Sequence, residues 1–215
     1  MIRPKVLVTG GTGYIGSHTV VELFEKGYEP VIADNLSNSD ISVLNNIESI
    51  IGFRPIFYQL DVCDHQKLNE IFNHHTDLVA VIHFAAFKAV GESTIKPLDY
   101  YKNNLGSLLV LLEYMRDKGI KDLVFSSSCT VYGQPDQLPV TETTPRKEAE
   151  SPYGNTKKIG EDIFKFSSTS LKKYLAGTFS AFANKCTVSN SGIVFPFSYK
   201  EIEFRDNPIS VARAV

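Results

Sequence analysis

Apolar positions along this chain follow two different periods. Short, β-rich apolar runs predict five strands, at residues 5–9, 29–34, 55–60, 78–84 and 122–126. Between these runs the apolar positions fall at helical intervals, most clearly at Leu105, Leu108, Leu109 and Leu112. Pro97 and Gly119 mark the limits of this leucine-striped helix. Strands that alternate with helices in this way favour a parallel sheet covered by helices on both faces.

Capping and turn residues set the limits of further segments. Gly27 closes the first helix, and Asp64 is the expected N-cap of a helix that runs to His74. Residues 133–152 contain four of the ten prolines and several acidic residues, which is typical of a surface loop. This loop leads into a helix that starts near Ser151–Pro152.

The first strand leads into a loop with a glycine at every third position, Gly10, Gly13 and Gly16, and then into an amphipathic helix. Gly10 permits a tight turn, Gly13 lets backbone N–H groups approach a pyrophosphate, and Gly16 lets the helix pack against the strand. Three glycines alone are a weak signal, but a strand before them and a helix after them are the setting of a dinucleotide-binding fold. We therefore expect an α/β fold of the Rossmann type, a doubly wound parallel sheet, with a dinucleotide at this loop.

An acidic residue stands at the end of the second strand. Asp34 follows Gly16 at about the separation at which a carboxylate meets the adenosine ribose, and it would repel a 2′-phosphate. No arginine follows within Asn35–Asn38, so NAD is favoured over NADP. The alternative is that Asp34 only starts a turn, since Asp-Asn is also a turn pair. Asp61, at the end of the third strand, has the placement to meet the adenine edge, although strand-end aspartates also cap helices.

Small residues follow the fourth strand. Ala85 and Ala86 leave room for a ligand across the crevice at the end of the strand, and Lys88 has the reach to contact its phosphates or hydroxyls. The alternative is ordinary strand packing followed by a solvated lysine.

A tyrosine and a lysine four residues apart follow the fifth strand. Tyr153 and Lys157 lie on one face of the predicted helix, where the ammonium would lower the pKa of the phenol by favouring phenolate. A tyrosine tuned in this way acts as a base near neutral pH. Tyr114 and Lys118 repeat the spacing, but they lie on the leucine-striped helix with no polar strand end before it. The expected catalytic tyrosine is therefore Tyr153, which follows the serine cluster at the end of the fifth strand.

Composition and charge exclude several classes of protein. The chain has 215 residues, of which 43% are hydrophobic, and a net charge of -2, so it lacks the basic excess of a nucleic-acid-binding protein. No apolar run is long enough to span a membrane, and the N-terminus leads straight into a strand, so we expect a cytoplasmic protein.

The three cysteines, Cys63, Cys129 and Cys186, have no Cys-x-x-Cys spacing and are expected to be reduced. No metal site is expected, because His74 and His75 point to different helix faces. A serine hydrolase is the competing class of enzyme, but it lacks support, because no Gly-x-Ser-x-Gly elbow occurs and every histidine precedes the serine cluster.

Taken together, these segments resemble a known family. The motifs are Thr9-Gly-Gly-Thr-Gly-Tyr-Ile-Gly-Ser-His18, Asp34-Asn-Leu-Ser-Asn38, Lys88-Ala-Val-Gly-Glu-Ser93, Asn103-Asn104, Ser126-Ser-Ser-Cys-Thr-Val-Tyr-Gly133 and Ser151-Pro-Tyr-Gly-Asn-Thr-Lys157. They resemble the UDP-glucose 4-epimerases of the extended short-chain dehydrogenase/reductase family, over about residues 3–163. The motifs at 88–93 and 126–133 are more specific to the epimerases than the glycine loop is.

The resemblance implies where an NAD cofactor and a UDP-hexose substrate bind. The implied cofactor-binding residues are Gly10, Gly13, Tyr14, Ile15, Gly16, Asp34, Asn35, Leu36, Ser37, Asn38, Asp61, Val62, Phe84, Ala85, Ala86, Lys88, Asn103 and Lys157. The implied substrate-binding residues are Ser128, Cys129, Thr130 and Tyr153. The implied catalytic residues are Tyr153, Lys157 and Ser128.

The reaction that the resemblance implies is the interconversion of UDP-glucose and UDP-galactose, in galactose metabolism. Tyr153 would remove the proton of the sugar's 4-hydroxyl as hydride passes from C4 to NAD, with Ser128 hydrogen-bonded to that oxygen. The 4-keto sugar would then turn over and take the hydride back on its other face. The helices at 98–118 and 153–173 would pair with their copies in a homodimer, as in the family.

The match to the family stops near residue 163. After Asp162 the family continues into a strand that ends in Arg-Tyr-Phe-Asn-Pro and then into a substrate domain, whereas this chain reads Phe164-Lys-Phe-Ser-Ser-Thr-Ser-Leu. We therefore expect an NAD-binding Rossmann domain at 1–163 and a divergent tail at 164–215, with the substrate domain missing or truncated. The tail would add one further strand, around Leu175–Phe182, and a helix. A truncated product or a reading-frame change near residue 164 is the working hypothesis, and sequencing the encoding DNA in all frames past that point tests it.

Two other functions stay open from the sequence. One is a catalytically silent or impaired dinucleotide-binding fragment of an epimerase, whose uncovered apolar surface would favour aggregation or partner binding. The other is another NDP-sugar dehydratase or reductase of the same fold, which would need different acid or base residues, such as a carboxylate, near Ser128.

Overall fold

All five strands expected from the sequence form, and they lie parallel in one sheet. They are β1 (Lys5–Thr9), β2 (Glu29–Asp34), β3 (Ile56–Gln59), β4 (Leu78–His83) and β5 (Asp122–Ser128). The computed structural model describes residues 3–141 and 143–167, together with three short stretches at 188–189, 192–193 and 210–214. The predicted and observed strand limits differ by at most two residues.

Three short strands follow the Rossmann core in sequence. β6 (Val188–Ser189) and β7 (Gly192–Ile193) form an antiparallel pair, and β8 (Ser210–Ala214) pairs in parallel with β5. The large sheet has the order β3-β2-β1-β4-β5-β8. The strand predicted around Leu175–Phe182 lies outside the described residues, and the division into domains at residue 163 stays a prediction.

Helices connect the parallel strands. They are α1 (Tyr14–Glu25), α2 (Val43–Ile51), α3 (His65–His74), α4 (Val90–Ile95), α5 (Pro97–Asp117) and α6 (Pro152–Ser167), with a 3₁₀ turn at Cys129–Tyr132. The predicted cap of α3 is confirmed, because the Asp64 carboxylate accepts hydrogen bonds from the backbone N–H groups of Gln66 and Lys67. The sequence did not predict α2 and α4, whose N-caps, Ser42 and Ala89, make no side-chain capping hydrogen bond.

Alternate residues of the strands pack into two apolar cores, one on each face of the sheet. Leu7 and Val31 belong to the core that α3, α5 and α6 cover. Val6, Val8 and Ile32 belong to the core that α1 and α2 cover. Burial of both faces is the arrangement of a doubly wound parallel sheet, as the sequence predicted.

The winding direction of the chain reverses between β1 and β4. β2 and β3 lie on one side of β1, whereas β4 and β5 lie on the other. Thr9, the last residue of β1, is the register partner of His83, the last residue of β4. Because the connections leave these two strand ends in opposite directions, a crevice opens between them at the carboxyl edge of the sheet.

Candidate cofactor-binding and catalytic site

A cavity of about 480 Å³ opens at the carboxyl ends of the five predicted strands. Most residues expected at the cofactor or the substrate line it: Gly10, Gly13, Tyr14, Ile15, Gly16, Asp34, Asn35, Ser37, Asn38, Asp61, Val62, Phe84, Ala85, Ala86, Lys88, Asn103, Ser128, Cys129, Tyr153 and Lys157. Leu36 and Thr130, which were also expected there, are not among the lining residues. One cavity therefore brings together side chains that are far apart in the sequence.

The glycine loop lies at one wall of this cavity and has no room for side chains at two positions. Gly10 has a φ of 71°, and a Cβ on it would lie 2.7 Å from the backbone nitrogen of Ala85. A Cβ on Gly16 would overlap the carbonyl oxygen of Gly10 and lie 2.8 Å from the Cα of Gly11. The first turn of α1 thus packs directly on the loop backbone. The first three residues of α1, Tyr14, Ile15 and Gly16, line the cavity, and the N-terminus of a helix is an arrangement that binds phosphate.

Asp34 is buried at the cavity wall and is held by the loop. Its Oδ2 accepts a hydrogen bond from the N–H of Thr12 at 3.2 Å. Its Oδ1 accepts hydrogen bonds from the N–H of Leu36 at 2.9 Å and from the hydroxyl of Ser39 at 3.3 Å. Asp34 therefore starts a turn and also lines the cavity, so the two interpretations of this residue are compatible.

Asp61 and the segment after β4 also face the cavity. Asp61 Oδ1 accepts a hydrogen bond from the N–H of Cys63 at 2.8 Å, while α3 has Asp64 as its cap. The helix-cap alternative for Asp61 is therefore wrong. The backbone N–H of Ala85 donates to Thr9 Oγ1 at 3.4 Å, and Lys88 is exposed at the cavity.

Tyr153, Lys157 and Ser128 converge in the same cavity. Lys157 lies one helical turn after Tyr153, and its Nζ is 5.9 Å from the centre of the Tyr153 ring. The ammonium donates a hydrogen bond to the carbonyl oxygen of Ser126 at 2.8 Å. Ser128 Oγ accepts a hydrogen bond from the Thr130 hydroxyl at 3.0 Å and is itself hydrogen-bonded to the Tyr153 phenol.

The pKa of the Tyr153 phenol is raised, which is opposite to the shift expected from the sequence. Burial is the largest cause, since it disfavours the charged phenolate. The hydrogen bond from Ser128 acts in the other direction and lowers the pKa of the phenol. Burial also lowers the pKa of Lys157, to about 8. Ser128 is therefore a group that favours phenolate in this structure.

The second tyrosine–lysine pair has structural contacts instead. The Tyr114 hydroxyl donates to the carbonyl oxygen of His65 at 2.8 Å, and its ring stacks on Phe72. Lys118 Nζ donates to Asn73 Oδ1 at 2.7 Å. Neither residue of this pair lines the cavity, so the spacing alone does not identify a site.

His83 is a buried histidine next to the cavity wall. Its Nδ1 and Thr9 Oγ1 share a hydrogen bond of 2.7 Å, and its ring stacks on Phe125. Burial lowers the pKa of His83 from 6.5 to about 3, and Lys157 adds to the shift. The imidazole is therefore neutral at physiological pH.

We expect His83 to make the fold sensitive to mild acid. Because the pKa of His83 is lower in the folded chain than in the unfolded chain, the unfolded chain binds more protons below pH 6.5, and stability falls as the pH falls. Between about pH 7 and about pH 5, the free energy of unfolding of the native chain should drop by about 2 kcal/mol more than that of His83→Asn. Urea unfolding at both pH values measures this difference. His74→Asn, at an exposed histidine, should behave like the native chain, and an equal drop in His83→Asn would contradict the assignment.

Three residues that the sequence did not single out also line the cavity. They are Ser39, Leu60 and Ser107. Ser39 and Leu60 are sequence neighbours of expected site residues. Ser107 is different, because it follows Asn103 by one turn of α5, so helical spacing was the signal that would have found it.

Ser127 connects the cavity to α6 and to the long loop at 133–151. Its hydroxyl donates to Glu161 Oε1 at 2.6 Å, and both residues are buried. Arg146, in the loop, donates to Glu161 at 3.2 Å and to Asp162 at 2.6 Å. The end of β5, which carries Ser128, is thereby linked to the helix that carries Tyr153.

Three observations concern metals, membranes and thiols. Within residues 3–141 and 143–167 and the short later strands, no group of three or more His, Cys, Asp or Glu side chains is placed to hold a metal ion. None of the helices in the same stretches is both long and apolar enough to cross a bilayer. Cys63 is half-buried, Cys129 is exposed, and both are free thiols.

Comparisons with known proteins agree with this geometry. The GDP-mannose 4,6 dehydratase family model matches residues 7–178. The UDP-glucose 4-epimerase of Yersinia pestis is 54% identical over 158 residues, which are 74% of this chain and 46% of that protein. The UDP-glucose 4-epimerase of Bifidobacterium longum, crystallised in complex with NAD+ and UDP, has a TM-score of 0.75 and 44% identity over 77% of this chain and 49% of that chain.

A second solved structure extends the comparison. The UDP-glucose 4-epimerase of Stenotrophomonas maltophila, with bound NAD and formylated UDP-arabinopyranose, has a TM-score of 0.75 and 40% identity over 84% of this chain and 56% of that chain. The chain spans about half the length of the curated relatives it matches. The resemblance stated from the motifs is confirmed: the chain belongs to the GDP-mannose 4,6-dehydratase family, and within it is similar to the UDP-glucose 4-epimerases.

Proposed function

We propose that the chain binds NAD in the cavity and carries the acid–base residues for interconversion of UDP-glucose and UDP-galactose, in galactose metabolism. The observation that carries this proposal is the convergence of Tyr153, Ser128 and Lys157 on the cavity that the glycine loop and Asp34 also line. The relatives support it, because UDP-glucose 4-epimerases of this family have been crystallised with NAD.

The residues present fit NAD. The positions of Gly10 and Gly16 keep side chains out of the loop, so a pyrophosphate can approach the backbone N–H groups at the start of α1. Asp34 already accepts hydrogen bonds from two backbone N–H groups, and a carboxylate oxygen has further lone pairs for ribose hydroxyls. NAD, when bound, supplies an acceptor that takes a hydride and returns it, so that no second substrate is consumed.

The chain's own residues then transfer the proton of the sugar hydroxyl. Tyr153 is the group in the cavity that is suited to take the proton of a sugar hydroxyl and to return it. Its raised pKa keeps the phenol protonated at neutral pH, so the proton must be made easier to lose. The hydrogen bond of the Ser128 hydroxyl lowers the pKa of the phenol and so opposes the effect of burial. Lys157 has a pKa of about 8, so it is mostly protonated at neutral pH and holds a positive charge beside the ring.

Turnover and cofactor binding together test the proposal. The full chain is incubated with NAD and UDP-galactose, UDP-glucose is followed by a coupled assay, and NAD binding is measured by calorimetry. Binding with turnover supports the proposal, whereas the absence of NAD binding overturns it. Binding without turnover would identify a silent dinucleotide-binding module.

A dehydratase or reductase is less well supported. Among the residues that the structure describes, the carboxylates that line the cavity are Asp34, at the end of β2, and Asp61, after β3, and neither lies at the end of β5 as Ser128 does. An additional acid or base beside Ser128 is what such a reaction would require.

Asp34 is expected to set the choice between NAD and NADP. Its buried carboxylate would repel a 2′-phosphate, so NADP should bind at least about tenfold more weakly than NAD. Asp34→Asn should narrow this ratio, because it removes the charge and keeps the size of the side chain. Calorimetric titration with both cofactors measures the ratio. Asp40→Asn, at an exposed aspartate outside the cavity, is the matched control, and equal affinity of the native chain for both cofactors would contradict the role.

The proposal also includes a homodimer in the cytoplasm. The free thiols Cys63 and Cys129 support a reducing compartment. Exposed apolar side chains on α4 and α5, among them Ile95, Leu98 and Leu109, support burial of this surface against another copy of the chain.

A further inference from the structure

We propose that Asn104 is a positioning residue that couples the loop after β4 to the first turn of α6, and so fixes the cofactor-facing wall relative to Tyr153. The inference rests on the proposed function of the cavity. Asn104 does not line the cavity. It acts through Phe87, Asn103 and Tyr153, which do.

Asn104 holds the loop by its backbone at one residue. Its Oδ1 accepts a hydrogen bond from the N–H of Phe87 at 2.8 Å, and its Nδ2 donates to the carbonyl oxygen of the same residue at 3.0 Å. This two-point contact imitates the pairing of a strand neighbour. It fixes both the position and the orientation of the peptide groups around Phe87, which lies between Ala86 and Lys88 in the cavity wall.

The same amide reaches the helix of the catalytic tyrosine. Asn104 Nδ2 donates its second proton to Thr156 Oγ1 at 3.0 Å, and the Thr156 hydroxyl donates to the carbonyl oxygen of Tyr153 at 2.7 Å. Thr156 is 1% exposed, so water does not compete for this chain of hydrogen bonds. The backbone of Tyr153 is thus connected to Phe87 through two side chains.

Asn104 also holds Asn103, the residue of α5 that lines the cavity. Asn103 Nδ2 donates to Asn104 Oδ1 at 2.9 Å. The Asn104 amide then makes four hydrogen bonds, two as acceptor and two as donor, which is its full capacity. A residue used only for packing on a leucine-striped helix has no need of this set.

The donor and acceptor pattern makes the amide irreplaceable at this position. An aspartate has the same shape but would present an oxygen to the Phe87 carbonyl and to Thr156, and both contacts would lose their proton. A leucine would leave the N–H and carbonyl groups of Phe87 without these two hydrogen bonds. Only a side chain with one acceptor and one double donor satisfies all the partners together.

The test uses variants of both linking residues in the full chain. Asn104→Asp should weaken NAD binding by about tenfold or more, because the loop after β4 loses the hydrogen bond that the Asn104 amide donates to it. Thr156→Val should raise the pKa of the Tyr153 phenol, because a displaced Tyr153 loses the hydrogen bond of Ser128. The phenol is titrated by ultraviolet absorbance, as the difference between each protein and the same protein with Tyr153→Phe. Thr156→Ser, which keeps the hydroxyl, should restore the native titration and NAD affinity.

Controls separate positioning from loss of stability. Ile71→Val removes a methyl group from the core under α3, so it lowers the melting temperature without altering the hydrogen bonds of Asn104. If Ile71→Val shifts NAD affinity or the phenol titration as much as Asn104→Asp and Thr156→Val do, the inference is overturned. It is also overturned if Thr156→Val titrates like the native chain. If the native chain fails to bind NAD, the proposed function fails, while the phenol titration still decides the coupling between Asn104 and Tyr153.

Discussion

Replacing Tyr153 with phenylalanine is expected to lower the interconversion of UDP-galactose and UDP-glucose by about 10²–10⁴-fold, the range for loss of a general acid–base group. The substitution removes the phenol oxygen and keeps the ring, so the cavity keeps its shape. NAD affinity should stay within about threefold, because the glycine loop and Asp34 lie on other elements of the sheet. A fall in turnover without a fall in binding would place Tyr153 in the chemical step.

Steady-state turnover and NAD calorimetry on the same preparation measure this result. Tyr114→Phe is the matched control, because Tyr114 has the same spacing to a lysine but donates to the His65 carbonyl outside the cavity. That variant should keep native turnover. Native turnover in Tyr153→Phe would remove the tyrosine from the mechanism and, with it, the main support for an epimerase.

Replacing Gly16 with alanine is expected to abolish NAD binding, with a loss of about 100-fold or more, and to destabilise the fold by about 1–3 kcal/mol. The new Cβ would overlap the Gly10 carbonyl oxygen, and it would lie too close to Gly11 as well. Both contacts are with backbone, so no side chain can move aside. The loop must shift away from α1, and its N–H groups would lose their alignment toward the phosphates.

Urea unfolding and NAD titration report the two parts of this effect. Gly91→Ala is the control, because a Cβ there meets nothing within 4 Å and the residue lies in α4. Alanine is a better helix former than glycine by about 0.5–1 kcal/mol, so Gly91→Ala should be neutral or stabilising. Native NAD affinity in Gly16→Ala would show that the loop does not bind the phosphates.

The sequence predicted the sheet well because its strands are continuous apolar runs bounded by glycines and polar residues. Asp64 and the glycines after α1 and α5 likewise identified helix ends correctly. The starts of α2 and α4 lack such signals, and those helices were missed. Local patterns therefore revealed the elements that have local signals, and they also placed Asp34, Ser128 and Tyr153 at strand ends or helix starts near the carboxyl edge.

What the sequence could not predict depends on burial and on partners far away in the chain. The net shift in the pKa of Tyr153 reverses because the phenol is buried, and spacing to Lys157 carries no information on burial. Asn104 looks like one polar residue on a leucine-striped helix until its partners at Phe87 and Thr156 are known. The link from Ser127 to Glu161 spans 34 residues of sequence, so no local pattern could indicate it.

The glycine loop is a short stretch of sequence, but its shape depends on distant chain segments. Thr9 bonds His83 across a sequence separation of 74 residues and Ala85 across 76. Contacts at this separation form slowly in folding, because a long loop must close before they contribute any free energy. The contacts of Thr9 with His83 and Ala85 form only when β4 docks on β1. A chain still emerging from the ribosome therefore carries the complete glycine motif well before it has anywhere to hold a dinucleotide.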